Sequence, residues 1–312
     1  MLFVGVFAGA PTFANPAILL FPSVGTTREV TVRGRALENS PSTGSSTFSK
    51  NLRLLTCSNW EGAKVEVRFA GRSATTLSCD DGNFEVVVPS GPTEFEVGIG
   101  LVEASVKGAK AIAVMEVIAP SAPFFVISDF DDTIAITNVI QRAALFESAF
   151  LKDGQTHPPV DGMSRWYQCL KSGPSERPVF ALVSGSPVQF ADRIKAFLSK
   201  NGFPQFGLYL RDLGPKTMTG YKQPVIRQLL KSVPQKVVLI GDSGEHDPEV
   251  YAQIQAEFPD RVVATYIRNA GLAQNPKRFQ NMMLFSNPAE AAVDSVNRGL
   301  ANPECVKAWL SP

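Results

Sequence analysis

Apolar positions along the 312-residue chain follow two rhythms. From Val30 to Val117 they come in short β-branched runs, EVTVRGRAL, AKVEVRFAG, NFEVVVP, TEFEVGIG and AIAVMEVIAP, with alternation clearest in VTV and VEVRF. Turn signals such as DDGN separate the runs and no helical stripe interrupts them, which predicts an antiparallel sandwich. The Ser/Thr-rich stretch ENSPSTGSSTFSKN reads as a loop on that unit. At APSAPF two prolines mark a linker, and beyond it the texture changes. FFVIS, VFALVS, GLYLR, KVVLIG and RVVATYI are apolar throughout. Between them lie stripes at helical spacing, such as Phe190, Ile194, Phe197 and Leu198, or Val225, Ile226, Leu229 and Leu230. Such strands, separated by such helices, predict an α/β unit whose mostly parallel sheet is covered on both faces. The expected organisation is a small all-β sandwich over residues 18–119, an α/β unit over 120–275, and a helical tail over 276–312 packed on that unit.

Composition narrows the function classes. Thirty Lys and Arg against 29 Asp and Glu leave a net charge of +1, so no global field favours nucleic acid or an anionic membrane. The opening MLFVGVFAGAPTFANPA is apolar and ends in small residues, as a secretory signal cut after Ala14 would, although a basic n-region is missing. Cleavage there predicts export to a periplasm or the medium; a buried N-terminal strand is the alternative and goes with a cytoplasmic protein. No later apolar run approaches the length of a spanning helix. The four cysteines, Cys57, Cys79, Cys169 and Cys305, contain no C-x-x-C pair, which argues against zinc. In an oxidising compartment Cys57 and Cys79 are candidates for a bridge between two strands of the β unit; in a reducing one they are small apolar side chains. The Cys169 and Cys305 pairing stays open, as does the oligomeric state.

The chemistry concentrates where strands end. In an open parallel sheet, ligands bind beyond the carboxyl ends of the strands. Asp129, Asp131 and Asp132 stand there after FFVIS, and Asp242 stands there after KVVLIG. Acidic groups from different strands would meet in one crevice, and like charges held close require a proton or a hard divalent ion such as Mg²⁺. Attack of a carboxylate on a phosphate ester meets the same repulsion, which a metal and a lysine would offset. The parts occur in order. Asp129 is the candidate nucleophile and Asp131 the acid and later base. Ser184 is placed to hold a phosphate oxygen, with backbone groups of Gly185 and Ser186 beside it and Thr133 after the first cluster. Lys222, opening a helical stripe, would neutralise charge, and Asp129, Asp131, Asp242 and Asp247 form the candidate metal set.

This arrangement, Asp129-x-Asp131-x-Thr133 after a strand, a strand-terminal Ser184, a helix-opening Lys222 and the GDSGEHD string from Gly241 to Asp247, resembles the four motifs of the haloacid dehalogenase superfamily of phosphohydrolases. The longer strings VISDFDDTIAITNV, GFPQFGLYLRD and VLIGDSGEHDPEVYAQIQAEFPDRVVATYIRN are similar to the actin-patch-protein family of Mg²⁺-dependent phosphatidate phosphatases. GTTREVTVRGRAL and CDDGNFEVVV resemble that family's preceding β-rich domain more weakly. The resemblance implies a Rossmann-like catalytic fold and hydrolysis of phosphatidate, a phospholipid monoester, to diacylglycerol through a phosphoaspartyl intermediate. The sequence departs from the family at Tyr221, where His is usual, and at Asn138 and Asn269, where Asp is usual. Substrate identity therefore stays open between a lipid and other phosphomonoesters, and a non-catalytic binding protein with a vestigial fold is the third reading.

Rival chemistries fit the same residues less well. A calcium loop starting at Asp129 needs Gly at its sixth place and Glu at its twelfth, where Ile134 and Ile140 stand. A metal-binding D-x-D of a nucleotide-sugar transferase leaves Lys222 and Asp242 without a role. GDSG at 241–244 lacks the context of a serine protease, with His157 and His246 the only bases available. Asp247, followed by Pro248, has a plain reading as a helix N-cap.

Overall fold

The computed structural model describes residues 16–39, 59–137, 157–173, 176–212, 218–271 and 275–311. The opening apolar segment, Cys57, most of the Ser/Thr-rich stretch and Asn138 lie outside them. The chain forms two sheets, one β-rich and mainly antiparallel, the other parallel and flanked by helices.

Eight strands make the first sheet: β1 (Ala17–Leu20), β2 (Ser23–Gly25), β3 (Glu29–Leu37), β4 (Lys64–Phe69), β5 (Arg72–Leu77), β6 (Asn83–Pro89), β7 (Gly98–Val106) and β8 (Ala109–Val117). They run in the order β1-β3-β2-β8-β7-β4-β5, with β6 paired to β3. All pairings are antiparallel except β2 with β8. The alternation seen in the sequence is the cause of its packing, because every second residue turns to the same side. Val30 and Val32, Val65 and Val67, Val102 and Ala104, and Met115 all enter one apolar cluster. The run TEFEVGIG starts its strand later than the residue pattern predicts, at Gly98.

The second sheet has six parallel strands in the order β11-β10-β9-β12-β13-β14. They are β9 (Phe124–Ser128), β10 (Phe180–Pro187), β11 (Phe206–Arg211), β12 (Lys236–Asp242), β13 (Val262–Arg268) and β14 (Met283–Phe285). Helix α1 spans Met163–Lys171, α2 Ala191–Lys200, α3 Met218–Ser232, α4 Asp247–Glu257, α5 Pro288–Asn297 and α6 Pro303–Leu310. Phe124 and Val126 of β9 join the cluster that contains residues of α1, α2, α5 and α6. Phe125 and Ile127 join the one that contains residues of α3 and α4. A strand covered on both faces has no polar alternation, which is why FFVIS reads as a continuous apolar run.

Chain order decides where a ligand can sit. From β9 the chain moves outward to β10 and β11, then returns to the other side of β9 for β12, β13 and β14. The reversal leaves a crevice at the tips of β9 and β12, the switch point of an open parallel sheet.

The tail holds α5 and α6 as expected, and also β14, a sixth parallel strand that the sequence pattern did not announce. Asn287 and Asn302 accept from backbone N–H groups of the first turns of α5 and α6, each followed by proline. Cys305 of α6 is disulfide-bonded to Cys169 of α1, and Cys79 is a free, exposed thiol. Trp166 donates from Nε1 to Ser295 Oγ at 3.1 Å, which ties α1 to α5. The β-rich region meets the parallel sheet along β11. Leu208 donates its N–H to Pro22 O at 2.7 Å, and a Cβ on Gly207 would come within 3.0 to 3.1 Å of Ser23 and Val24 backbone. No helix among the described residues is long and apolar enough to cross a membrane.

Candidate active site

The tip of β9 presents Asp129, whose N–H still bonds Ile240 O of β12 at 2.9 Å. The chain then turns sharply, with Asp132 in the left-handed region at φ 50 and its Oδ1 accepting from Thr137 N–H at 2.8 Å. This turn keeps both Asp129 and Asp131 at the strand tips instead of carrying them into solvent. Below them Ser128 Oγ donates to Asp129 O at 2.6 Å and meets Tyr167 Oη at 2.7 Å.

Lys222, from the first part of α3, reaches into the crevice. Its Nζ lies 2.9 Å from Asp129 Oδ1, 2.5 Å from Asp247 Oδ1 and 3.4 Å from Glu245 Oε2. Asp247 opens α4 without capping it; its Oδ2 accepts from Asp242 N–H at 3.3 Å. The side chain is therefore committed to the crevice, which decides against the plain N-cap reading. It packs so closely on Gly241 that a Cβ there would lie 2.5 Å from Asp247 Oδ2. Asp242 Oδ1 accepts from Gly244 N–H at 2.6 Å. Asp129, Asp242 and Asp247 each bring one carboxylate oxygen to within 4.8 Å of the others.

Asp131 belongs to the other side of the crevice. Its Oδ2 accepts from Ser184 Oγ at 3.2 Å and from Ser186 Oγ at 2.7 Å. It is not part of the converging trio, so three of the four carboxylates expected to hold a metal come together and the fourth is held by the serines of β10. Ser184 Oγ in turn accepts from Ser186 N–H at 3.0 Å, and Gly185 O accepts from Arg211 Nε at 3.2 Å. Thr133 Oγ1 donates to Asp129 Oδ2 at 3.4 Å. Sequence reasoning missed Glu245, Arg211 and the Ser128–Tyr167 support. Glu245 stood in plain view inside GDSGEHD, but nothing in a sequence says which way a loop carboxylate points.

The electrostatics are those of crowded acid. Lys222 is the one Lys or Arg that is buried among the described residues. Burial raises Asp129 well above the ordinary carboxylate range, an effect Lys222 opposes. Burial, then the charge of Asp247, raises Asp242 likewise. Asp131 is pushed up to about 7 by burial and next by the charge of Glu245. Burial acts to lower Lys222, but Asp129, Asp247 and Glu245 outweigh it and hold the ammonium well above its usual range. Asp242 Oδ2 is buried and receives no hydrogen bond, and buried Asp129 Oδ1 meets Lys222 as an ion pair without a hydrogen bond. Such carboxylate oxygens in a cluster with more negative than positive charge are the donor set a hard divalent cation requires, so these residues fit one.

Residues 124–269 match the model of the family described as Phosphatidate phosphatase APP1, catalytic domain. This segment is similar to that family's catalytic domain. The matched segment begins at the first residue of β9 and ends one residue past β13, so it encloses every side chain of the crevice. It is 34% identical over 151 residues to the phosphatidate phosphatase APP1 of Saccharomyces cerevisiae, and 28% identical over 152 residues to an uncharacterised protein of Schizosaccharomyces pombe. Each alignment covers 46% of this chain and 25% of the relative, so the chain spans about a quarter of the length of these curated relatives. The β-rich region lies outside the matched segment. Among solved structures, a carbohydrate acetylesterase from Xanthomonas citri covers 81% of this chain and 60% of its own at 12% identity and a TM-score of 0.31, too distant to bear on the fold.

Proposed function

We propose that the chain is a Mg²⁺-dependent phosphatase of phospholipid monoesters that hydrolyses phosphatidate to diacylglycerol and phosphate. The observation that carries this reading is the buried Asp129 carboxylate, 2.9 Å from Lys222 and clustered with Asp242 and Asp247 inside the family-matched segment. We read the fold as a haloacid dehalogenase-type α/β domain (120–275) with its helical tail (276–312), preceded by an all-β sandwich domain (18–119).

Asp129 attacks phosphorus and the ester oxygen leaves, taking the proton that Asp131 holds. A carboxyl pushed up to about 7 is suited to donate near neutral pH. Ser184 and Ser186 keep Asp131 aligned through their hydroxyls. Asp131, now ionised, takes a proton from water, whose oxygen attacks the phosphoaspartate; the P–O bond to Asp129 breaks and phosphate departs. Lys222 offsets the negative charge that gathers on the phosphoryl oxygens. Asp129, Asp242 and Asp247 would hold Mg²⁺, which when bound supplies further charge neutralisation at those oxygens.

The Cys169–Cys305 disulfide supports a further part of the reading, export through the apolar opening segment into an oxidising compartment. A substrate panel tests the proposal: phosphatidate in mixed micelles against soluble phosphate esters, each with Mg²⁺ and with chelator. Mg²⁺-dependent release from phosphatidate supports the reading, higher kcat/KM on soluble esters moves the substrate class, and no release from any ester refutes it.

A further inference from the structure

Lys222 is surrounded by three carboxylates that differ in one respect. The Asp129 and Asp247 side chains are 1% and 0% exposed, while Glu245, at 11%, is the most exposed of the three and makes the longest contact, 3.4 Å. Asp129 and Asp247 are also bound to the rest of the cluster. Asp129 accepts from Thr133, and Asp247 is pressed against Gly241 and accepts from Asp242 N–H. Neither can withdraw without dismantling the crevice.

Glu245 stands on a longer stem in the loop between β12 and α4, and that loop's backbone is pinned independently of the carboxylate. Arg278 donates to Ser243 O at 3.0 Å and to Glu245 O at 2.8 Å, while Glu249 anchors the same guanidinium at 2.5 Å. Gly244 N–H is held by Asp242. The Glu245 side chain can therefore swing while its backbone stays in place.

An anionic group beside Lys222 occupies the electrostatic position that the function proposed above gives to the phosphoryl group. A phosphoryl dianion and a carboxylate repel one another there, and Lys222 donates one of its hydrogen bonds to Glu245. We propose that Glu245 is a displaceable counter-anion: it neutralises Lys222 in the free enzyme, swings out when a phosphoryl group arrives, and returns to help expel inorganic phosphate. It is a positioning residue, acting through Lys222, and the inference rests on the phosphatase reading. Binding competent only in the displaced state is weakened by the fraction of time that state is populated, and substrate and product face the same penalty.

The test is Glu245→Gln, which keeps shape and removes charge. Calorimetric titration with inorganic phosphate, with and without Mg²⁺, and steady-state kinetics are compared with the wild type. The proposal expects phosphate to bind about tenfold more tightly and KM to fall by a similar factor. It also expects thermal stability equal to or above that of the wild type, because like charge has been removed. Unchanged or weaker phosphate binding overturns it, whether through lower stability, which would make Glu245 a brace for Lys222, or through weakened Mg²⁺ binding, which would make it a metal ligand. If the wild type hydrolyses no phosphate ester, the phosphatase reading falls, and the phosphate titration still decides whether Glu245 competes with an anion.

Discussion

Lys222→Met isolates the role of the buried lysine. Methionine keeps an unbranched stem of similar length, so packing changes little, and the main loss is the charge. Lys222 sits 2.9 Å from Asp129, 2.5 Å from Asp247 and 3.4 Å from Glu245, with its side chain 3% exposed. Breaking a buried ion cluster by removing one partner costs about 3 to 5 kcal/mol, because the remaining charges are left uncompensated. That is a large part of the roughly 5 to 15 kcal/mol that holds a typical protein folded. At about 2 to 4 °C per kcal/mol the melting temperature falls by on the order of 10 °C in chelator. Adding Mg²⁺ to a hundredfold excess over its dissociation constant returns about 2.7 kcal/mol. Lowering the pH helps too, since carboxyls raised in the folded state bind protons more tightly there than in the unfolded chain. Thermal unfolding followed by circular dichroism, in chelator and in Mg²⁺, reads both effects. A variant that melts within about 2 °C of the wild type in chelator would refute the view that Lys222 compensates buried charge.

Three further outcomes follow from the same geometry. Asp131 is pushed up to about 7 from 3.8, so its penalty is full above pH 7 and is relieved as pH falls towards 4, by roughly 4 kcal/mol at most. Metal-free protein should therefore melt higher at about pH 5.5 than at pH 8, and Asp131→Asn should flatten that slope; a wild type that melts lower at the acid pH contradicts the sign. Gly241→Ala puts a methyl where Asp247 Oδ2 would lie 2.5 Å away, so it should weaken Mg²⁺ binding at least about tenfold with β12 intact, read by calorimetry. Cys305→Ser opens a link between residues 136 positions apart and should cost about 2 to 4 kcal/mol of stability, read as a lower melting temperature without reductant; unchanged melting would show that the bond contributes nothing.

Much of the parallel sheet was legible because its strands are covered on both faces and its helices on one. FFVIS and KVVLIG are unbroken apolar runs for that reason, and the stripe from Val225 to Leu230 lies along α3. The strands that escaped notice are short or polar. β2 and β14 have three residues each, too few for any period to show. β5, RSATTL, is a strand only because it pairs with β4, and none of its side chains is fully buried.

The site divides in the same way. Position after a strand identified Asp129 and Asp242, whose tips topology alone brings together, and position at the opening of a helical stripe identified Lys222. Asp247 had two local readings, and the choice between them depends on Lys222, 25 residues away in the chain. Asp131 follows the same strand as Asp129 yet faces the serines of β10, a direction set by the left-handed backbone at Asp132 and by hydroxyl groups on another strand. Such directions are tertiary facts that no local pattern carries.

The account rests on the tips of β9 and β12 forming one charged crevice with Lys222, in which Asp129 receives the phosphoryl group. Phosphate release from phosphatidate micelles by wild type and Asp129→Asn, with and without Mg²⁺, measures this most directly. The account predicts release by the wild type with Mg²⁺ alone and none by the variant; full release by Asp129→Asn, or release indifferent to chelation, would contradict it.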